Sequence, residues 1–333
     1  MTAPIAIVGA GGWGTALAVT MARGARNVRL WVYEADLAVA MTDTRENTVY
    51  LPGVQIPESV RISNSLRDVV QGCPVVLIAV PSNFFRAVSE QLIRAADAGT
   101  IFVSATKGIE NTTLMRMSEV LADVAGPSAA PKIAVLSGPT FAPEVARGEP
   151  TALVIASQDE ALRLRLQSEL STPRFRLYTN ADSTGVELGG AVKNIIAIAA
   201  GVADGLGLGS NAMAALVTRG LAEITRLVVA CGGRRETMAG LAGLGDLVLT
   251  SYGELSRNRR VGVELGRGRR IEEITAGMRA IAEGVRTTKS TVDLAGKLGI
   301  EMPIAEKMYA VLYQGLRPQE ALTDLMERKL KEE

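Results

Sequence analysis

The chain has 333 residues, of which 47% are hydrophobic and 21% charged, with a formal net charge of +1 at pH 7. This length indicates two domains, the hydrophobic content excludes a disordered chain, and the balanced charge gives no general attraction to nucleic acid or to an anionic membrane. Histidine is absent, which excludes histidine-dependent triads and metal sites and leaves lysine, tyrosine, cysteine or a carboxylate for proton transfer.

The first predicted strand, residues 5–8, ends in a glycine-rich turn. Gly9, Gly11 and Gly14 have the spacing Gly-x-Gly-x-x-Gly and lead into sequence rich in alanine and leucine. In such a turn the first glycine permits a tight bend, the second lets the backbone approach a pyrophosphate, and the third lets the following helix pack closely. The spacing alone is a weak signal, but its position between a strand and a helix favours dinucleotide binding over a purely structural turn.

Strands and helices alternate through the first half of the chain. Further strands are predicted at residues 28–32, 75–80, 101–104 and 133–136, with helical spacing at 85–96 and 114–124. This alternation predicts a mainly parallel sheet with helical crossovers. Two more strands, at 151–156 and 175–179, are expected at the sheet edge.

Strand signals stop after about residue 183, and helices joined by glycine-rich turns follow. We therefore predict an α/β Rossmann-type, doubly wound dinucleotide-binding domain over residues 1–184. An all-helical substrate-binding and catalytic domain is predicted over residues 185–333.

The sequence also bears on where the protein resides. The most hydrophobic stretch, residues 191–233, is interrupted by charged residues, so no uncharged run reaches the roughly 18 residues of a membrane span. No basic segment followed by an apolar signal region precedes the first strand. Cys73 and Cys231 are far apart and lack metal-ligand spacing, which favours a reducing compartment. We expect a cytoplasmic protein without a membrane span or a bound metal.

Lys107 follows the predicted strand at residues 101–104 of the parallel sheet. Ligands lie at the carboxyl ends of strands in such sheets, and the loops at residues 80–82, 106–108 and 137–142 all fall there. A lysine in a loop is usually only solvated. Lys107 differs in standing at a strand end between a threonine and a glycine, above the expected cofactor crevice.

A second lysine, Lys193, lies within apolar helical sequence. Burying its ammonium is costly without a partner, and the alternative is a side chain that extends to solvent. The functional interpretation is an ammonium that exchanges a proton with a substrate oxygen. Glu187 and Asp246 are candidate partners. Asp246 and Thr250 would share one helix face, although Asp246 is equally interpretable as a helix cap after Gly245.

The cluster Ser256, Arg257 and Asn258 could bind one phosphate. A serine that caps a helix, followed by arginine and asparagine, suits a phosphate group. The alternative is a solvated charged face. The near-neutral charge of the chain and the lack of interleaved aromatic residues argue against nucleic-acid binding.

Taken together, these segments resemble bacterial NAD(P)-dependent sn-glycerol-3-phosphate dehydrogenases over nearly the whole chain. Eight motifs occur in the order of that family: GAGGWGTALA (9–18), YLPG (50–53), ATKG (105–108), SGPTFA (137–142), GGAVKN (189–194), GLGDL (243–247), SRNRR (256–260) and EGVRTT (283–288). The resemblance implies interconversion of dihydroxyacetone phosphate and sn-glycerol 3-phosphate with NAD(P)H, supplying glycerophospholipid synthesis.

The resemblance also implies roles for individual residues. Lys193 matches the family's proton-transferring lysine. The implied substrate contacts are Lys107, Gly138, Thr140, Asp246, Ser256, Arg257 and Asn258. Besides the three glycines of the turn, the expected cofactor contacts are Gly12, Trp13, Tyr33, Lys107, Ala142, Arg257, Ile281 and Glu283.

One position departs from many relatives. After Leu30 and Trp31 the family often has histidine, arginine or lysine, whereas this chain has Tyr33 and Glu34. An acidic residue after the second strand of a dinucleotide fold bonds the ribose 2′-hydroxyl and repels a 2′-phosphate. Glu34 or Asp36 therefore favours NADH, or at least the use of both cofactors, unless Arg257 or another distant cation reaches the phosphate.

Two other functions are compatible with parts of this pattern. A related two-domain dehydrogenase could use Arg257 to bind the carboxylate of a hydroxyacid, but the order of the motifs disfavours it. A regulatory protein that senses NAD(P) without turnover would have lost the buried lysine, whereas Lys193 and Asp246 are both present. The sequence leaves association into a homodimer open.

Overall fold

The computed structural model describes residues 3–127, 131–278 and 282–329. The chain divides into two compact units. The first takes in residues up to Lys107 and Met115–Glu187, and the second takes in Gly108–Leu114 and the chain from Leu188 onward.

The first unit alternates strands and helices, as the sequence predicts. Its elements are β1 (Ile5–Val8), α1 (Gly12–Arg23), β2 (Val28–Trp31), α2 (Ala35–Thr44), β3 (Glu46–Asn47), β4 (Leu51–Gln55), β5 (Val60–Ser63), α3 (Leu66–Val70), β6 (Val75–Ile78), α4 (Phe85–Ala95), β7 (Ile101–Ser104), α5 (Met117–Ala125), β8 (Lys132–Ser137), α6 (Ala142–Arg147), β9 (Thr151–Ala156), α7 (Glu160–Leu170) and β10 (Phe175–Asn180).

Eight of these strands form one sheet in the order β10-β9-β8-β7-β6-β1-β2-β5. Every neighbouring pair is parallel except β8 and β9, which are antiparallel. Strands β9 and β10 lie at the edge, as predicted. The short strands β3 and β4 pair with each other as a separate antiparallel hairpin.

Helices cover both faces of this sheet. Along β1, Ile5 and Ile7 join a core cluster that includes residues of α1, α2, α6 and α7. The alternate residues, Ala6 and Val8, join a cluster that includes residues of α3, α4 and α5. A strand buried on both faces reads as a continuous apolar run, which explains why the parallel strands were recognisable in the sequence.

From Leu188 onward, the described residues of the second unit form helices joined by turns, as predicted. Its elements are α8 (Ser183–Gly205, which begins in the first unit), α9 (Ser210–Ala230), α10 (Arg235–Met238), α11 (Asp246–Tyr252), α12 (Arg257–Gly266), α13 (Ile271–Ala276), α14 (Glu283–Leu298), α15 (Pro303–Tyr313) and α16 (Pro318–Met326). A π-helical turn, Leu241–Gly245, leads directly into α11.

Helix α8 is the central helix of this unit. Within the described residues it alone is long and apolar enough to cross a membrane, with a mean hydropathy of 1.5, and the qualifying window is 100% buried in the protein. Core helices pass the same test, so this property is weak evidence for a membrane span.

Two pairs of glycines bring α8 and α12 into backbone contact. An ideal Cβ at Gly201 or Gly205 of α8 would lie 2.0 or 2.3 Å from a carbonyl oxygen of α12. An ideal Cβ at Gly262 or Gly266 of α12 would lie 2.0 or 2.5 Å from a carbonyl oxygen of α8. No side chain fits at these four positions, so the glycines set the distance between the two helices.

We expect Gly262→Ala to destabilise the protein by at least about 2 kcal/mol, because its Cβ would force α12 away from Ile198 of α8. Gly296→Ala in α14 is the matched control, since no heavy atom lies within 4 Å of that Cβ position. The control should instead gain up to about 1 kcal/mol. Urea unfolding followed by circular dichroism measures both, and equal midpoints for Gly262→Ala and wild type would contradict the packing account.

Candidate active site

The glycine-rich turn between β1 and α1 has the geometry that its spacing predicts. Gly9 has φ 108°, and an ideal Cβ there would lie 2.7 Å from the carbonyl oxygen of Ala79. A Cβ on Gly14 would lie 1.8 Å from the carbonyl oxygen of Gly9. Both positions therefore require glycine for the tight bend and for close packing of α1.

Gly11, by contrast, faces open space. No heavy atom lies within 4 Å of its ideal Cβ position, and it is the residue that precedes the first turn of α1. A helix N-terminus with unshielded amides attracts an anion, and a missing side chain lets that anion reach the backbone. The turn thus fits the pyrophosphate of a dinucleotide.

Gly12, Trp13 and Ala142 border the same turn. A Cβ on Gly12 would lie 3.8 Å from the Cβ of Ala142, the first residue of α6. Trp13 is partly buried and packs against the core cluster that contains α1. The structure therefore brings these three predicted cofactor residues to one end of α1 and α6.

The β3–β4 hairpin is fastened to the glycine-rich turn by Asn47. This side chain is fully buried. Its Nδ2 donates to the carbonyl oxygen of Ala10 and to Thr15 Oγ1, each at 2.8 Å, and its Oδ1 accepts from the backbone N–H of Tyr50 at 3.0 Å. Because both the oxygen and the nitrogen of the Asn47 amide are hydrogen-bonded, this side chain fixes the position of the hairpin beside the turn.

The end of β2 carries the two residues that depart from the family pattern. Tyr33 is 75% exposed, and its ring meets that of Trp31 edge-on at 5.9 Å between centroids. Glu34 precedes the first residue of α2 and accepts a hydrogen bond of 3.0 Å from the hydroxyl of Tyr50. Asp36 is the second residue of α2 and lies in its first turn. The acidic group predicted to meet the cofactor ribose thus has a hydrogen-bond donor.

Lys107, Gly138 and Thr140 come together at the carboxyl ends of β7 and β8. Lys107 Nζ donates to the carbonyl oxygen of Gly138 at 3.0 Å, and Thr140 Oγ1 donates to the same oxygen at 3.2 Å. Gly138 has φ 146°, a conformation that favours glycine. Lys107 is half-buried. Three of the predicted substrate residues therefore form one polar group in the first unit.

Lys193 is buried and paired with Asp246. Their side chains are 5% and 1% exposed, and Nζ lies 2.8 Å from Asp246 Oδ1. Nζ also donates to Thr250 Oγ1, whose hydroxyl in turn donates to the carbonyl oxygen of Asp246 at 2.7 Å. The ammonium is therefore held by a carboxylate and a hydroxyl from consecutive turns of α11, and it does not extend to solvent.

Small residues bring α8 and α11 to this distance. A Cβ on Gly189 of α8 would lie 2.9 Å from the carbonyl oxygen of Ala242, within the π-helical turn. A Cβ on Gly243 would lie 2.3 Å from the carbonyl oxygen of Met238. Gly189 thus lets the turn before α11 approach α8, while Gly243 lets the same turn pack against the end of α10. Asp246 bonds Lys193 instead of capping its own helix.

Glu187, the other candidate partner of Lys193, is engaged elsewhere. Its carboxylate lies 2.7 Å from Arg116 and accepts hydrogen bonds from the backbone N–H and hydroxyl of Ser118. Burial raises the pKa of Glu187, and Arg116 and Ser118 partly offset that effect. Its role in the structure is to fasten the start of α5 to the start of α8.

The predicted phosphate cluster lies at the N-terminus of α12. Ser256 caps the helix, with its Oγ accepting from the N–H of Arg259 at 3.1 Å. Asn258 is buried, donates to Asn194 Oδ1 at 3.0 Å and accepts from the N–H of Gly284 at 2.9 Å. Arg257 is exposed. The glycine contacts between α8 and α12 therefore hold this helix end beside the residue that follows Lys193.

The two remaining predicted cofactor residues are Glu283 and Ile281. Glu283 is the first residue of α14 and is half-buried. Ile281 lies outside the described residues.

Sequence reasoning missed three polar residues that the structure places at these sites. Asn194 joins the Lys193 helix to Asn258, and Asn47 and Tyr50 join the hairpin to the glycine-rich turn and to Glu34. Asn194 follows Lys193 within an apolar helix, where an amide needs a partner, and that signal could have found it. Nothing in the local pattern indicates which residues Asn47 contacts.

Comparison with known proteins decides the family. The N-terminal profile described as "NAD-dependent glycerol-3-phosphate dehydrogenase N-terminus" matches residues 4–163, and the corresponding C-terminal profile matches residues 182–323. The chain belongs to the NAD-dependent glycerol-3-phosphate dehydrogenase family. Its reaction is the reversible conversion of dihydroxyacetone phosphate to sn-glycerol 3-phosphate with NAD(P)H, and the chain is an oxidoreductase of this kind.

Full-length relatives agree with this assignment. The chain is 55% identical to "Glycerol-3-phosphate dehydrogenase [NAD(P)+]" of Koribacter versatilis, over 97% of each chain. It is 51% identical to the protein of the same name from Geobacter sp. strain M21, over 100% of this chain and 99% of that one. The crystal structure of glycerol-3-phosphate dehydrogenase from Coxiella burnetii matches with a TM-score of 0.94 and 44% identity, covering 98% of this chain and 99% of that one.

The geometry of the glycine-rich turn predicts that substitution of Gly11 affects cofactor binding, whereas substitution of Gly14 affects the stability of this dehydrogenase. We expect Gly11→Ala to leave the urea midpoint unchanged, because the structure has room for its Cβ. It should weaken NADH binding about tenfold or more, because the methyl group would block the approach of a pyrophosphate to the backbone that such a turn predicts. Gly14→Ala should instead lower stability, since its Cβ meets Gly9. Calorimetric titration with NADH measures the affinity, and wild-type affinity in Gly11→Ala would contradict this fit.

Proposed function

We propose that Lys193 is the proton donor when this dehydrogenase reduces dihydroxyacetone phosphate. The observation that supports the proposal is the buried pair of Lys193 and Asp246, with Nζ and Oδ1 2.8 Å apart. A buried ammonium is costly unless it is paired and hydrogen-bonded. Here Asp246 and Thr250 meet that cost and fix the direction of Nζ.

The ammonium has two tasks in the reduction. The cofactor, when bound, supplies a hydride to the carbonyl carbon of the substrate. As negative charge grows on the carbonyl oxygen, Lys193 donates a hydrogen bond to that oxygen and then transfers a proton, which gives the hydroxyl of sn-glycerol 3-phosphate. In the reverse direction the neutral amine accepts that proton. Asp246 holds Nζ in a fixed direction at the start of the reduction.

The phosphate of the substrate is assigned to the N-terminus of α12. The amides of a helix N-terminus, a serine cap and an exposed arginine suit an anion of this size. We propose that Arg257 and Asn258 bind the phosphate, with Ser256 shaping the helix end. Arg257 is also a proposed cofactor contact, together with Glu283 and Ile281.

The polar group of Lys107, Gly138 and Thr140 is assigned to the reacting end of the substrate. Lys107 adds a positive charge at the carboxyl end of β7, where ligands of parallel sheets bind. In the first unit, Gly9, Gly11, Gly12, Trp13, Gly14, Tyr33 and Ala142 are the proposed cofactor contacts. Most of the proposed cofactor contacts thus belong to the dinucleotide-binding domain, residues 1–184, whereas the proposed proton donor belongs to residues 185–333.

We further propose that NADH is the preferred cofactor. Glu34 stands at the end of β2, where a carboxylate bonds the ribose 2′-hydroxyl and repels a 2′-phosphate. No arginine or lysine occurs from residue 32 to residue 36. A cytoplasmic location and supply of glycerophospholipid synthesis complete the proposal, supported by cysteines that suit a reducing compartment and by the chemistry of the product.

The direct test is Lys193→Ala. We expect kcat to fall at least about 100-fold, because a general acid and its charge are lost, while the Kd for NADH changes less than about threefold. Steady-state reduction of dihydroxyacetone phosphate and calorimetric titration with NADH provide the two readings.

Lys132→Ala is the matched control, because Lys132 is an exposed lysine at the start of β8. It should retain wild-type kcat. Circular dichroism establishes that the Lys193→Ala protein is folded, and added ethylammonium should restore part of its rate. A folded Lys193→Ala protein that keeps more than about a tenth of wild-type kcat would exclude Lys193 as the proton donor.

A further inference from the structure

The hydroxyl of Tyr50 donates a 3.0 Å hydrogen bond to Glu34, yet the two residues come from different elements. Glu34 follows β2, and Tyr50 lies in the hairpin loop between β3 and β4. We propose that Tyr50 is a specificity-determining residue that holds the Glu34 carboxylate against the cofactor ribose and so favours NADH over NADPH. The inference rests on the proposed role of Glu34 and names the residue that makes that role effective.

An exposed carboxylate discriminates between NADH and NADPH only if such a partner holds it in place. Glu34 lies on the surface, where a free glutamate side chain samples several rotamers and can turn away from a 2′-phosphate at little cost. A hydrogen bond to a charged acceptor removes that freedom. Held in place, the carboxylate can accept from the ribose 2′-hydroxyl of NADH, and it cannot retreat from the extra phosphate of NADPH.

The donor itself is fixed by the hairpin. The backbone N–H of Tyr50 is bonded to Asn47 Oδ1, and Asn47 is bonded to Ala10 and Thr15 of the glycine-rich turn and α1. On the other side, the carbonyl oxygen of Tyr50 closely approaches Gly12, 2.9 Å from its ideal Cβ position. Tyr50 is therefore positioned from the same turn that fits the pyrophosphate, so the distance from pyrophosphate to carboxylate is set by one connected network.

Charge around the pair supports repulsion of a phosphate. Asp36 adds a second carboxylate in the first turn of α2, two residues after Glu34. The hydroxyl of Tyr50 already has Glu34 as its acceptor. Two exposed carboxylates so close in sequence add negative charge to the start of α2, which suits a neutral hydroxyl better than a dianionic phosphate.

The test measures the Kd for NADH and the Kd for NADPH by calorimetry in four proteins: wild type, Tyr50→Phe, Glu34→Gln and the double variant. Tyr50→Phe removes only the hydroxyl. It should shift the NADPH/NADH affinity ratio toward NADPH by about three- to tenfold, and Glu34→Gln should shift it by about tenfold or more. The double variant should match Glu34→Gln within about twofold, because Tyr50 acts through Glu34.

Tyr178→Phe is the matched control. Tyr178 is a half-exposed tyrosine on β10, at the opposite edge of the sheet from β2 and β5, and it should leave the ratio unchanged. An unchanged ratio in Tyr50→Phe alone would overturn the proposal while leaving the role of Glu34 intact. Independent, additive shifts in the double variant would also overturn it, since Tyr50 would then contact the cofactor directly.

Other failures are distinguishable from this one. If neither Glu34→Gln nor Tyr50→Phe moves the ratio, both the Glu34 assignment and the Tyr50 proposal are wrong. If wild type prefers NADPH but both variants shift the ratio further, the NADH preference is wrong and the Tyr50 proposal stands. Because binding requires no turnover, the result is independent of whether Lys193 is the proton donor.

Discussion

The packing of the second unit depends on the buried ammonium of Lys193, which needs a charged partner. Lys193 is only 4% exposed, and removing one member of a buried ion pair typically costs about 3–5 kcal/mol because the other charge is left unpaired. The chain must therefore bring Asp246 and Thr250 to Nζ and keep them there. Gly189 makes the approach of α8 to the turn before α11 sterically feasible. The same central helix meets α12 through Gly201 and Gly205, so one set of small residues positions both the proposed proton donor and the proposed phosphate site.

In the first unit, neutral groups in place of an ion pair fix the geometry of the proposed site. The glycine-rich turn leaves backbone amides bare at the start of α1, and its shape depends on contacts that no side chain could share. Asn47 supplies the remaining restraint, because a fully buried amide with three partners fixes the hairpin to the turn. The shape of the proposed dinucleotide site thus depends on the Asn47 carboxamide and on the close contacts of Gly9 and Gly14.

Much of this arrangement was predictable from the sequence, for identifiable reasons. Buried parallel strands give continuous apolar runs, and the turn glycines follow from steric requirements, so the sheet and the position of the turn were recognisable. The partner of Lys193 was not decided, because Glu187 and Asp246 are equally acidic and only the packing of α8 against α11 selects between them. The antiparallel direction of β9 and the partners of Asn47 depend on tertiary contacts with distant segments, which local periodicity does not encode.

The most direct test of the account is whether Lys193 and Asp246 act as one unit in the chemical step. Single-turnover reduction of dihydroxyacetone phosphate by excess enzyme, followed as loss of NADH absorbance, gives that rate for Lys193→Met, Asp246→Asn and the double variant. The account predicts that each single variant slows the step at least about 100-fold and that the double variant is no slower than Lys193→Met within about threefold. A double variant slowed by the product of the two single effects would contradict the account, since the two residues would then act independently.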